Sequence, residues 1–185
     1  MDITKTFILF FVFLTNIVYS QKIQWMSLEE ALKAQKIKPK KIIMDVYTKW
    51  CGPCRLLDKK TFGNPDVSRY ISQNFYAVKF NAEGDEEIFF YDKKYSNSNY
   101  NPDRKGRNST HDFTIFLGIR GYPTIIFFSE QGDPIIPLTG YFNVRQIEPY
   151  LKMIKRGDYA VFKDSDDIEK YIENFSYKFR QWLFI

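Results

Sequence analysis

Cys51 and Cys54 are the only cysteines in the 185-residue chain, and two residues separate them. Thiols at this spacing can close a small disulfide ring on oxidation and reopen it on reduction, so the pair can store two electrons. Residues 41–47 are short, apolar and β-branched and predict a buried strand, whereas residues 55–60 predict a helix. We therefore expect Cys51 at a helix N-terminus, where free N–H groups and the helix dipole lower the pKa of a thiol toward neutrality.

The two thiols are expected to have different roles. Cys51, as a thiolate, is predicted to be the nucleophile that attacks a disulfide. Cys54 lies on the same face one turn into the helix, is expected to be more shielded, and is predicted to resolve the mixed disulfide. A zinc site would need two further ligands, and His111 is the single histidine, so no metal is predicted. We expect His111, at the start of a helix, to have a capping or surface role.

The segment Trp50-Cys51-Gly52-Pro53-Cys54 follows a strand that carries Asp45, and together they resemble the active site of the thioredoxin family. Residues 118–124 resemble the cis-proline loop of that family, and Gly140 matches the glycine that follows the next strand. The resemblance covers about residues 24–155. It implies an α/β thioredoxin fold, a central mixed β-sheet flanked by helices. Residues 61–67 and 139–141 are similar to the thioredoxin-like periplasmic domain of the membrane-embedded thiol:disulfide interchange proteins.

This resemblance implies roles for further residues. Asp45 matches the aspartate that accepts a proton from the resolving cysteine, and an apolar surrounding would raise its pKa. Lys79 matches the lysine beside that aspartate. Pro123 matches the cis-proline, and the backbone of Tyr122, which is larger than the usual aliphatic residue, would hydrogen-bond an extended substrate segment. In the substrate groove that this resemblance implies, Trp50 forms the floor, and Gly121 and Gly140 keep the groove open. Gly52 and Pro53 are also predicted to bind substrate.

Composition limits the other functions. A chain of this length with 44% apolar residues can bury one core, so we expect one domain with additions. The net charge of +5 is spread along the chain without a dense Lys/Arg block. A nucleic-acid partner is therefore not predicted.

Residues 1–20 have the pattern of a secretory signal peptide, with a positive charge at Lys5, an unbroken apolar run over residues 7–14 and a short cleavage-type sequence before Gln21. An uncleaved anchor is the alternative, although the apolar stretch falls short of the roughly 18–20 residues that span a bilayer. We expect export to an oxidising compartment, which we interpret as a bacterial periplasm.

The predicted thioredoxin-like domain occupies residues 21–156. Ser27 with Glu30 and Asn143 with Gln146 predict capping boxes at two helix starts. A helix break is predicted at residues 63–65, and a hairpin at residues 125–128 and 135–138, whose second strand contains two prolines and is expected at a sheet edge.

Two additions to the domain are predicted. Residues 82–110 lack periodicity and form an insertion after the third strand, either a mobile surface loop or a lobe near the active site that selects substrates. Residues 157–185 form a helical extension. Its helix is predicted to start at Asp164 and run toward Phe179, and its apolar stripe packs on the domain, docks a partner or contacts a membrane; the stripe consists of Ile168, Ile172, Phe175, Phe179 and Trp182.

The sequence predicts an exported thiol–disulfide oxidoreductase. Gly52-Pro53 without an adjacent histidine is similar to thioredoxin itself and implies a reductase of protein disulfides. No bound cofactor is needed, and the expected partners are proteins with disulfides or thiols and a membrane electron carrier. An oxidase or isomerase of the same fold and a binding or chaperone module are the alternatives.

Overall fold

The computed structural model describes residues 22–181, whose main feature is a five-stranded mixed sheet. The strand order is β1-β3-β2-β6-β7; β1, β3 and β2 pair in parallel, and β6 is antiparallel to both β2 and β7. The five strands are β1 (Trp25–Met26), β2 (Ile42–Tyr47), β3 (Tyr76–Asn81), β6 (Thr124–Phe128) and β7 (Pro134–Thr139). The predicted thioredoxin fold is confirmed, and β7 lies at the edge, as its two prolines predict.

Helices cover both faces of the sheet because the central strands are apolar on both sides. Ile43 and Phe127 belong to the core on one face, whereas Met44 and Phe128 belong to the core on the other. The helices are α1 (Leu28–Ile37), α2 (Gly52–Leu56), α3 (Pro65–Asn74), α4 (Asp112–Phe116), α5 (Val144–Arg156) and α6 (Ser165–Glu173). Both predicted capping boxes are present, at the starts of α1 and α5.

Helix α2 begins at the cysteine pair and continues as a π-helical segment, Leu57–Phe62. This helical segment ends at Gly63. Asn64 then caps α3 by accepting hydrogen bonds from the N–H groups of Asp66 and Val67. This confirms the predicted break. A wider π-helical turn changes which residues after Cys54 face the sheet, and it buries Leu57 and Phe62 in the core.

Residues 82–110 contain structure that the sequence analysis missed. A hairpin of β4 (Ile88–Phe90) and β5 (Lys93–Tyr95) turns at Tyr91 and Asp92, which have φ angles of +48° and +57°. Ile88, Phe90 and Tyr95 are buried in one of the two cores. The sequence analysis did not predict these strands, because they are short and their turn lacks the glycine that signals a hairpin.

The C-terminal part is shorter in helix than predicted. A 3₁₀ turn at Asp158–Val161 precedes α6, which ends at Glu173, so the prediction of a helix toward Phe179 is wrong. Residues 175–181 have no regular secondary structure, and the buried Glu148 carboxylate accepts the backbone N–H groups of Lys178 and Phe179. Trp182 lies outside the described residues.

The predicted signal segment, residues 1–20, also lies outside the described residues. Within residues 22–181, no helix has both the length and the apolar character needed to cross a membrane.

Candidate active site

Cys51 and Cys54 form a disulfide at the start of α2. Cys51 is the N-cap residue, and its Sγ lies 3.1 Å from the backbone N–H of Cys54, which donates to it. A donor aimed at this sulfur favours its thiolate form when the disulfide is reduced. Both residues are only 2% exposed, so the expectation that Cys54 would be the more shielded is wrong in the oxidised state, where the bond holds the two side chains together. Gly52 and Pro53 between them are exposed.

Asp45 lies on the central strand β2, opposite Lys79 on β3, and is fully buried. Lys79 Nζ is 3.1 Å from Asp45 Oδ2 and forms an ion pair with this buried carboxylate. Burial raises the pKa of Asp45 to about 6; Lys79 opposes this rise and the nearby Asp58 adds to it. The carboxyl group can therefore take up and release a proton near neutral pH.

Lys79 also forms an ion pair with Asp58, which follows Cys54 by four residues. Burial lowers the pKa of Lys79, but the two carboxylates outweigh it and raise that pKa overall. Asp58 is 40% exposed and, with Lys79, lines an open pocket. The ion-pair chain therefore connects the buried Asp45 to solvent.

The Tyr122–Pro123 peptide bond is cis, as the resemblance implied. Gly140 N–H donates to the Pro123 carbonyl at 2.8 Å, which ties the loop to the end of β7. Gly140 has a φ of +105° and nothing within 4 Å of an added Cβ, so its conformation, not a lack of space, requires glycine there. At Gly121 an added Cβ would lie 3.2 Å from Thr139, so that position is limited by space.

Trp50 connects the disulfide to the cis-proline loop. Its ring meets that of Tyr122 edge to face, with centroids 6.1 Å apart. The indole N–H donates to Glu83 Oε2 at 2.9 Å, and the Arg107 guanidinium lies 4.3 Å from the ring centre. Burial and Glu83 raise the pKa of the Tyr122 phenol. The two ends of the predicted insertion, at Glu83 and Arg107, thus contact the active-site tryptophan.

Sequence reasoning missed three residues here: Asp58, Glu83 and Arg107. Asp58 had a usable signal, because its spacing of four from Cys54 places both on one side of a helix. Glu83 and Arg107 had none, since both lie in a stretch without periodicity. The structure thus brings the predicted Trp50, Cys51, Cys54, Tyr122 and Pro123 into one region and pairs Asp45 with Lys79.

His111 caps α4, where its Nδ1 accepts from the N–H of Phe113 and its Nε2 lies 2.6 Å from the Glu86 carbonyl. The capping prediction is confirmed, while a surface location is wrong, because the residue is fully buried.

Known proteins share this architecture. The family model of the thioredoxin-like domain matches residues 28–155. Thiol:disulfide interchange protein DsbD of Pectobacterium atrosepticum is 26% identical over 117 residues, which are 62% of this chain and 16% of that protein. The protein of the same name from Cronobacter sakazakii is 31% identical over 110 residues, 58% of this chain and 15% of that protein. The chain therefore spans less than a fifth of the length of these curated relatives.

Among solved structures, a thioredoxin-fold protein from Helicobacter pylori matches with a TM-score of 0.56 at 20% identity. The match covers 73% of this chain and 83% of that one, and it shows a shared fold.

Proposed function

Since the chain belongs to the thioredoxin-like family and carries a CxxC redox pair, we propose that this thiol–disulfide oxidoreductase works outside the cytoplasm as a reductase of protein disulfides. The observation that carries the proposal is the Cys51–Cys54 disulfide at the start of α2, in which only Gly52 and Pro53 separate the two cysteines in sequence. The similar curated proteins are named for thiol:disulfide interchange, which fits this chemistry.

The direction of electron flow depends on the groups that surround Cys51. A neighbouring histidine would favour the Cys51 thiolate and make the disulfide a stronger oxidant. The single histidine of the chain, His111, is buried at the start of α4 with both ring nitrogens engaged by backbone groups. Without that contribution we expect a stable disulfide and a dithiol that donates electrons.

The reaction then proceeds in two exchanges. The Cys51 thiolate attacks one sulfur of the substrate disulfide, the substrate S–S bond breaks, and the released substrate thiolate takes up a proton. Cys54 next loses its proton to Asp45 and attacks Cys51 Sγ, which breaks the mixed disulfide and releases the second substrate thiolate. This thiolate takes up a proton, and Asp45 gives up the one it accepted. In total the substrate gains two electrons and two protons, and the Cys51–Cys54 disulfide forms. A dithiol donor, which we place at a membrane electron carrier, reverses this oxidation.

Export is the remaining part of the proposal. The signal-like pattern of residues 1–20 and the likeness to DsbD support it. Both cysteines belong to the redox pair, so neither forms a separate structural disulfide. This fits a protein that acts on the thiols of other proteins.

The reduction potential of the Cys51–Cys54 couple tests the direction. It is measured by equilibrating the protein in glutathione buffers and trapping the free thiols. We expect a value near that of thioredoxin, about −270 mV, whereas a value near −120 mV would make the protein a disulfide donor.

Single cysteine variants test the order of the two exchanges. Cys54→Ser should accumulate a mixed disulfide with a substrate protein, because nothing resolves it, and Cys51→Ser should not. A variant with serine at both Cys51 and Cys54 should lose disulfide turnover. If the wild-type protein prevents aggregation of other proteins and this double variant does so equally well, a binding or chaperone role would be supported instead.

A further inference from the structure

We propose that four cations around Trp50 form a rim that recognises an acidic segment of the polypeptide substrate. The cationic rim consists of Lys49, Arg55, Arg104 and Arg107. The inference rests on the proposed function, since it names the class of substrate that reaches the same disulfide.

The rim lies beside the reacting sulfurs. Lys49 and Arg55 flank the Trp50–Cys54 segment in sequence, and the Arg55 Nη1 donates to the Lys49 carbonyl at 3.2 Å. Arg107 reaches the same place from the insertion, with its guanidinium over the Trp50 ring. A polypeptide whose disulfide contacts Cys51 therefore passes within reach of these side chains.

Hydrogen bonds hold the loop that supplies Arg104 and Arg107 in place. The Asn108 N–H donates to Glu83 Oε2 at 2.7 Å, the same oxygen that accepts from Trp50. The Asn108 side chain exchanges two hydrogen bonds with the backbone of Asn101, and the Asn97 amide donates to two carbonyls at the base of the loop. Since these contacts order the loop before binding, its backbone loses little conformational entropy on meeting a substrate.

The charge on this surface is predominantly positive. Residues 96–109 contain three cations and one carboxylate, that of Asp103. Lys49 and Arg104 line one pocket of about 70 Å³, large enough for a single small polar group. Glu83 also lines this pocket, but it is 9% exposed and its Oε2 already accepts two hydrogen bonds.

All four members of the rim are exposed. Their positive charge is therefore available to steer and retain an anionic polypeptide, and salt screens such an attraction.

The test compares peptides that differ only in charge. Each peptide contains one intramolecular disulfide flanked by glutamate, glutamine or lysine residues. Dithiothreitol reduces the Cys51–Cys54 disulfide of the full-length protein after each turnover. We expect kcat/KM to decrease from glutamate to glutamine to lysine flanks, mainly through KM. Added salt should reduce the difference.

Variants then locate the effect. Arg104→Gln and Arg107→Gln should each lower the glutamate-to-lysine ratio of kcat/KM by about 1.5- to 5-fold, the range for an exposed charge pair. Arg107→Lys keeps the charge and should keep the ratio. The matched control is Lys93→Gln. Lys93 is an exposed cation of the same insertion and lies over the ring of Tyr95, so its loss should leave the glutamate-to-lysine ratio of kcat/KM unchanged.

Equal kcat/KM values for the three peptides would overturn the inference while leaving the proposed function intact. The inference would also be overturned if Arg107→Lys lowered the glutamate-to-lysine ratio of kcat/KM as much as Arg107→Gln. Stacking on Trp50, and not positive charge, would then determine the preference for acidic peptides. No turnover of any peptide would refute the proposed reductase function and the rim together.

Discussion

Asp45→Asn is expected to stabilise the oxidised protein at neutral pH. Asp45 has no exposed surface. The ion pair with Lys79, 3.1 Å away, compensates only in part for this burial, because burial has the largest influence on the pKa of Asp45 and raises it. Asparagine has the same shape without the charge, so the substitution removes the cost of burying an anion.

The pKa of Asp45 gives the size of the effect. A rise from the ordinary 3.8 to about 6 corresponds to about 3 kcal/mol that the ionised form costs the folded state. Because the folded state binds the proton more tightly than the unfolded state, stability decreases as the pH rises from about 4 to about 6. Above that range the full cost is present, and below it the cost is absent.

Urea unfolding of the oxidised protein at pH 7.5 and at pH 4 measures this prediction. Asp45→Asn should gain up to about 3 kcal/mol in the free energy of unfolding at pH 7.5 and almost nothing at pH 4. Asp103→Asn, at an exposed position, is the control and should change stability by less than about 0.5 kcal/mol at either pH. A gain of the same size at both pH values, or none at pH 7.5, would refute the reasoning.

The same substitution is expected to slow catalysis while it stabilises the fold. If Asp45 accepts the proton of Cys54, its loss should slow the resolving exchange by about 100-fold or more. The wild-type rate of that exchange should rise with pH through about 6, as the carboxylate becomes able to accept, and the variant should lack this rise. Rapid-mixing measurements of mixed-disulfide decay separate this step from the first attack, and an unchanged decay would argue against the role.

Substitutions at Glu148 and Gly140, each with a control, test further parts of the fold. Glu148→Ala removes the acceptor of the Lys178 and Phe179 N–H groups, 2.7 and 3.0 Å away. It also leaves the nearly buried Lys152, 2.7 Å from the carboxylate, without this ion-pair partner, and should lower the free energy of unfolding by about 3 kcal/mol. Glu148→Gln keeps one acceptor oxygen and should cost less, so equal losses in urea unfolding would contradict this account. Gly140→Ala should cost about 1–3 kcal/mol through backbone strain alone, because φ is +105° and the space is open. Gly52→Ala, whose added Cβ meets one side-chain atom at 4.0 Å, should cost less than about 0.5 kcal/mol, and a similar loss in both variants would refute the strain argument.

Most of the fold could be predicted from the sequence because local signals and tertiary packing agree there. The capping boxes at Ser27 and Asn143 mark two helix starts, and the prolines of β7 exclude a central position. The cis bond before Pro123 followed only from the family resemblance, since no local pattern specifies it.

The remaining features depend on contacts between distant residues. Beyond the end of α6, Glu148 binds backbone amides 30 and 31 residues away, and nothing in the sequence after Glu173 indicates these contacts. The Trp50–Glu83 contact joins residues 33 apart. The β4–β5 hairpin was missed because Tyr91 and Asp92 adopt a turn that usually contains glycine.

The segment at residues 178–180 also affects the order in which contacts can form during synthesis. Its partners are Glu148 and, more than 110 residues earlier, Asn64 and Asp66, which bind the backbone and side chain of Arg180. The ribosome releases the entire sheet before it releases this segment. A nascent chain that stops short of residue 178 must therefore hold the Glu148 carboxylate without these two backbone donors. We expect such intermediates to be more sensitive to proteases than the chain that includes residue 180, because the contacts of residues 178–180 with the start of α3 and with α5 form last.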